Sequence, residues 1–126
     1  MNETQESVRT LIHEMAAAMM RQDDEAVASF FADDAVMIVP SARLAGRPAI
    51  LEAGRQFNLH FTNITIDVMD VVYCAGKGVV EWRFAETRKH DLWTHVMEDA
   101  IVFHVRPDRK VSYWREYFDP NQVQLV

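Results

Sequence analysis

The sequence predicts an α+β domain in which three N-terminal helices pack in the concave face of a strongly curved antiparallel sheet, forming a cone with an interior. Two observations carry this expectation. Apolar residues recur at helical spacing up to about His60, and from Ile64 onward they alternate with polar ones. Turn-forming clusters then divide the second half into a meander of long strands. Helices followed by a run of strands segregate to one side of an antiparallel sheet.

Residues 3–21 form the first helix. Val8, Leu11, Ile12, Met15 and Met19 share one of its faces, and Asn2 or Thr4 can cap it. Gln22-Asp23-Asp24 interrupts the pattern, and Asp23 caps a short second helix burying Ala26, Val27, Phe30 and Phe31. Residues 35–39 make a short apolar strand that stops at Pro40. Gly46-Arg47-Pro48 opens the third helix, with proline in the first turn, where its missing N–H costs nothing. That helix runs to about His60 and turns Ile50, Ala53, Phe57 and Phe61 to one side. Residues 64–73 then alternate as a strand, Ala75-Gly76-Lys77-Gly78 turns, and residues 79–88 return. Gly76 and Gly78 join two strands rather than opening a helix, so they are not a phosphate loop. A turn over 89–92 leads into a long strand over 93–106, and Pro107-Asp108 centres the last hairpin. The final strand, 111–119, is closed by Pro120.

A chain of 126 residues fits one domain, 1–126, with a substantial core. Its 49% hydrophobic and 25% charged residues place it with ordinary globular proteins. Its longest apolar runs are too short to span a bilayer, so no membrane role is expected. A net charge of −6 argues against nucleic acid, whose phosphates need Lys and Arg partners. The opening Met-Asn-Glu-Thr has no secretory-leader pattern, and the single Cys74 allows no internal disulfide, so a cytoplasmic setting is expected. The five histidines lack metal-ligand spacing, and neither a metal nor another cofactor is expected. The seven methionines read as core filler that would also suit bulky apolar ligands.

The final strand holds the leading functional candidate. Alternation puts Ser112, Trp114, Glu116 and Phe118 on one face and Val111, Tyr113, Arg115, Tyr117 and Asp119 on the other. With the first face inward, Glu116 is a carboxylate among aromatic rings, costly to bury unless paired or protonated. A hairpin centred on Pro107-Asp108 sets Phe103 opposite Ser112, Ile101 opposite Trp114, Asp99 opposite Glu116 and Met97 opposite Phe118, with His95 also turned inward. A turn near His90-Asp91 sets Arg83 opposite Asp99, Ala85 opposite Met97 and Thr87 opposite His95. Arg83, Asp99 and Glu116 then lie side by side, roughly 5 Å between neighbours. A one-residue slip in either hairpin reverses the faces of that strand. Two readings of the trio stand. It is either a structural ion network or the polar patch of a water-poor pocket lined by Met97, Ile101, Phe103, Trp114 and Phe118.

The series of a helix, a short helix ending Phe31-Ala32-Asp33-Asp34-Ala35, Gly46-Arg47-Pro48-Ala49-Ile50 opening a third, and a meander ending Trp-Arg-Glu-Tyr-Phe-Asp resembles the nuclear-transport-factor-2-like superfamily. Within it, the chain is most similar to SnoaL-like polyketide cyclases and limonene-epoxide-hydrolase-like proteins, over nearly its whole length. The resemblance implies the cone-like, cystatin-like α+β barrel. It leaves activity open, because the superfamily includes enzymes, binding modules and assembly domains. It further implies roles for particular residues. In limonene epoxide hydrolase the residue after Trp-Arg in the final strand is a catalytic aspartate, matched here by Glu116, and the arginine of its aspartate–arginine–aspartate set is matched by Arg83. The aspartate two residues beyond that arginine is Ala85 here, so Asp99 would supply the second carboxylate. That family's pocket tyrosine and asparagine fall at about Met37 and Val39. The general-base aspartate that ketosteroid isomerase carries before a proline is Val39 before Pro40, and its first-helix tyrosine is Met15. Steroid isomerisation by that route is therefore not expected, and Met15, Met37 and Val39 are expected as pocket contacts.

Two functions follow as alternatives. One is a cofactor-independent acid–base enzyme of the epoxide hydrolase, isomerase or cyclase type, acting on a small, largely apolar molecule with Glu116, Asp99 and Arg83 as catalytic groups. The other is a non-catalytic ligand-binding or association module. A homodimer is expected through the outer sheet face, where Val96, Ala100, Val102, His104, Tyr113, Arg115, Tyr117, Trp82 and Phe84 would form an apolar patch.

Overall fold

A computed structural model of the chain describes residues 4–121. Helix α1 (Gln5–Met20) is capped by Thr4, whose side chain accepts from the Ser7 N–H, and it buries Val8, Leu11, Ile12 and Met15 as their spacing requires. Asp23 caps α2 (Asp24–Ser29) by accepting from the Ala26 N–H. Phe31, expected on that helix, instead opens strand β1 (Phe31–Val39) and is fully buried. A short strand β2 (Ala42–Ala45), absent from the sequence reading, folds back on β1. Gly46 then turns the chain with φ of 92°, a conformation that side chains with a Cβ rarely adopt, and α3 (Arg47–His60) follows with Pro48 in its first turn.

The remaining strands are β3 (Phe61–Cys74), β4 (Lys77–Arg88), β5 (Thr94–Val105) and β6 (Val111–Tyr117). They form one six-stranded sheet in the order β2-β1-β6-β5-β4-β3. The sheet is curved and unclosed, with the three helices packed against it. It is not wholly antiparallel, because β1 and β6 pair in parallel. Helix α3 carries the chain from β1 and β2 to the far edge, and the four-strand meander returns to β1 running in the same direction.

The two hairpin registers differ from expectation in different ways. Between β4 and β5, Trp82 lies opposite Asp99, Phe84 opposite Met97, and Glu86 opposite His95, while Arg83 faces Glu98. The shift is one residue, so all of β4 is reversed. Trp82 and Phe84, expected outside, point inward, and Arg83, expected inside, is exposed. The connecting turn explains the slip. The Arg88 N–H bonds to the Trp93 carbonyl and Leu92 adopts φ of 62°, which closes a turn over the four expected residues 89–92, whereas Arg83 opposite Asp99 would need an odd number. Between β5 and β6, Phe103 lies opposite Trp114 and Ile101 opposite Glu116, two residues from expectation, so the faces are kept. A bulge near Ser112 brings Val111, expected outward, into the core.

The core beneath the concave face is aromatic. Trp114 is fully buried, with Trp82, Phe31 and Phe103 at centroid distances of 5.7, 6.0 and 6.1 Å. Gly78 permits this packing, since a Cβ there would stand 2.4 Å from a Phe103 ring carbon. Among the described residues no helix is long and apolar enough to cross a membrane.

Candidate active site

Between helices and sheet lies a cavity of about 470 Å³. The inward faces of β4, β5 and β6 supply Phe84, Glu86, His95, Met97, Asp99 and Glu116, with Phe118 just beyond β6. Met37 and Val39 come from β1, and Ile50, Ala53 and Phe57 from α3. Among the described residues the lining includes four carboxyl side chains, Asp24, Glu86, Asp99 and Glu116, but no Lys or Arg.

Asp99 and Glu116 sit diagonally on neighbouring strands, since Glu116 pairs with Ile101. Trp114, two residues before Glu116 on the same face, donates its Nε1–H to Glu116 Oε2 at 2.8 Å and fixes that carboxylate. Asp99 is buried, and its Oδ1 has no hydrogen-bond partner among the described residues. Removal from water, followed by the neighbouring Glu116 charge, pushes the Asp99 carboxyl up to about 9. The Trp82 indole N–H, directly across the ladder, pulls slightly the other way but lies outside good hydrogen-bond geometry. At neutral pH Asp99 is therefore a neutral acid that donates to Glu116.

A second polar pair faces the cavity further along the same strands. Glu86 is buried, and burial pushes it up to about 7. Its Oε1 lies 3.7 Å from His95 Nδ1, while the buried His95 Nε2 has no partner among the described residues. A third polar group ties the helices together. Asn58 donates to Asp24 Oδ1 at 2.6 Å, and Gln22 donates to Asn58 Oδ1 at 2.7 Å and to the Phe61 carbonyl at 2.9 Å.

Of the residues expected to form the site, Glu116, Asp99, His95, Met97, Phe118, Met37 and Val39 line the cavity. Ile101, Phe103, Trp114 and Met15 lie fully buried in the core rather than on its surface. Arg83 is on the opposite face of the sheet, so the expected carboxylate–arginine–carboxylate set reduces to two carboxyls. Glu86 was missed through the one-residue slip in β4. Alternation in the corrected register would have found it, but nothing in the sequence flags Gln22, Asp24 and Asn58 as a cluster.

A SnoaL-like domain model matches residues 12–119. The chain belongs to the SnoaL-like domain family. No curated protein matches it significantly. Solved structures similar to this SnoaL-like chain include a protein of ketosteroid isomerase-like fold from Catenulispora acidiphila, in complex with trimethylamine. It is 16% identical with a TM-score of 0.82, over 89% of this chain and 87% of that one. The epoxide hydrolase/cyclase-like enzyme SalBIII, of pyran ring formation in the polyether salinomycin, matches at 16% identity and a TM-score of 0.82, over 94% and 95% of the two chains. An epoxide hydrolase of the limonene-epoxide-hydrolase-like type from M. tuberculosis matches at 20% identity and a TM-score of 0.79, over 94% and 86%. At these identities the likeness establishes the fold.

Proposed function

We propose that this SnoaL-like chain is a cofactor-independent acid–base enzyme of the hydrolase, isomerase or cyclase type, acting on a small, largely apolar molecule. The observation that carries this reading is the Asp99–Glu116 pair at the wall of a largely apolar cavity, one carboxyl held neutral and the other oriented by Trp114. A carboxyl kept protonated beside a second, oriented carboxyl supplies an acid and a base together. In the opening of an epoxide, Asp99 gives its proton to the ring oxygen as the C–O bond breaks. Glu116 takes a proton from the attacking water, or from a substrate hydroxyl in a ring closure. The proton now on Glu116 then passes to the Asp99 carboxylate across their hydrogen bond, and the pair is restored. The epoxide hydrolase and cyclase activities named for two structural neighbours support this class.

The test is a panel of apolar epoxides and hydroxy-epoxides assayed for turnover. Glu116→Gln keeps the shape and loses the base, and is expected to lower kcat by roughly 10²–10⁴-fold without altering the melting temperature by more than a few degrees. Near-normal turnover by the variant would exclude Glu116 from the chemistry. The absence of a cationic partner beside the carboxyls, among the described residues, favours the second reading of a binding module. In that case the wild type binds panel members without converting any of them.

A further inference from the structure

Inward-facing residues of β4 and β5 pair in a fixed order: Trp82 with Asp99, Phe84 with Met97, Glu86 with His95. Four residues along a strand separate His95 from Asp99, about 13 Å at the rise of a strand. The cavity therefore has polar groups at two stations with an apolar stretch between them. The Asp99–Glu116 station suffices for the chemistry proposed above, which leaves Glu86 and His95 without a task.

The fold packs His95 edge-on against the Trp93 ring at 4.4 Å, but gives neither side chain a hydrogen bond among the described residues. Glu86 is 7% exposed, and its contact with His95 is too long for a hydrogen bond. A carboxylate facing Nδ1 favours the tautomer with its proton there, which leaves the Nε2 lone pair unpaired. Glu86 thus offers the cavity an acceptor with no donor in hydrogen-bond reach among the described residues, and His95 Nε2 lies buried beside it, also without one. Buried acceptors without partners are expensive, and a ligand that brings the missing donor recovers that cost. The lining carries carboxyls and no Lys or Arg, so an anion is repelled and a cation attracted. We propose, resting on this cavity as the substrate site, that Glu86 and His95 form a subsite for the ammonium group of an elongated, amine-bearing apolar ligand. The amine donates to Glu86 and to His95 Nε2, and the carbon chain runs past Phe84 and Met97. The reacting oxygen lies at Asp99 and Glu116. A substrate lacking the amine would bind in more than one direction, so this end sets orientation and specificity.

Three probes of equal length test the subsite without any assay of activity: octylamine, octan-1-ol and octanoate, titrated calorimetrically at neutral pH. Octylamine is expected to bind one per chain and at least about tenfold tighter than octan-1-ol, a margin typical of one charge-assisted hydrogen bond, with octanoate weakest. Glu86→Gln is expected to abolish the preference for amine over alcohol while leaving octan-1-ol binding in place. Asp99→Asn is expected to retain the preference, which separates this subsite from the catalytic pair. Glu86→Met provides a second variant if the amide does not fold. Equal binding of octylamine and octan-1-ol by the wild type, or a preference that survives in the folded Glu86 variant, overturns the proposal. A protein that prefers octylamine in this way and turns over no epoxide leaves the subsite standing and removes the proposed chemistry.

Discussion

Asp99 makes the candidate site visible through the pH dependence of stability. Its folded-state affinity for a proton is raised from the ordinary aspartate range near ~4 to about 9. Below the ordinary value both folded and unfolded chains carry the proton, and nothing is lost. Between the two values the unfolded chain releases a proton that the folded chain holds, so stability falls as pH rises, by at most about 1.4 kcal/mol per pH unit. Glu86, raised to about 7, contributes a fall of the same sign that is half complete at pH 7 and over by about pH 8. The interval from about 8 to 9 therefore isolates Asp99 from Glu86. Asp99→Asn is expected to flatten the melting-temperature profile there, and an unchanged slope in the variant would show that Asp99 is ionised in the folded protein. Arg83 supplies the complementary check. It stands on the far face of the sheet, so Arg83→Gln is expected to leave turnover within about twofold of wild type, whereas loss of the charge-stabilising group of an active site costs far more.

The strand carrying Arg83 also marks the limit of what could be read from sequence. Helices α1 and α3 were legible because several residues repeat the same period, and caps such as Thr4 and Asp23 and the Gly46–Pro48 start set their ends. Alternation likewise identified each long strand, but it defines two faces without saying which is buried. On β4 the inward set is Trp82, Phe84 and Glu86 and the outward set Arg83 and Ala85. The choice depends on a turn whose length follows from the left-handed backbone at Leu92. The β5–β6 hairpin was misjudged by two residues and still gave the right faces, so Asp99 and Glu116 were found together while Glu86 was not. Gly78 tests the corrected packing. A methyl group there would meet Phe103 at 2.4 Å and the Val72 carbonyl at 2.8 Å, neither of which can yield without moving the sheet or the aromatic core. Gly78→Ala is expected to destabilise the chain by about 1–3 kcal/mol in urea unfolding, and a neutral substitution would mean that Phe103 packs elsewhere.

The outer face of the sheet bears on how the chain assembles, and the corrected register changes its composition. Trp82 and Phe84 leave the expected patch for the interior, and Glu81 and Arg83 take their places outside. What remains apolar is centred on β5 and β6 and continues onto the ends of β3 and β4. Val102, His104 and Tyr113 are half-buried, while Tyr117, Val72 and Val79 are 50%, 54% and 37% exposed. His104 stacks on Tyr113 at 4.7 Å, and the Arg115 guanidinium lies 4.9 Å from the Tyr117 ring centre, so the patch presents ordered flat groups. The three helices pack on the other side of the sheet and cannot cover it. We propose that two chains pair through this face about a two-fold axis, which sets each patch against its own copy and closes the assembly. Charged residues on neighbouring β4 would then form a rim, the usual arrangement around an apolar interface centre. Sedimentation at micromolar concentration is expected to give twice 14.6 kDa, and Tyr117→Glu, which puts a charge into the apolar patch of each chain, is expected to shift the protein to the monomer with its cavity intact. A wild type that sediments at 14.6 kDa would show that the patch is left in water.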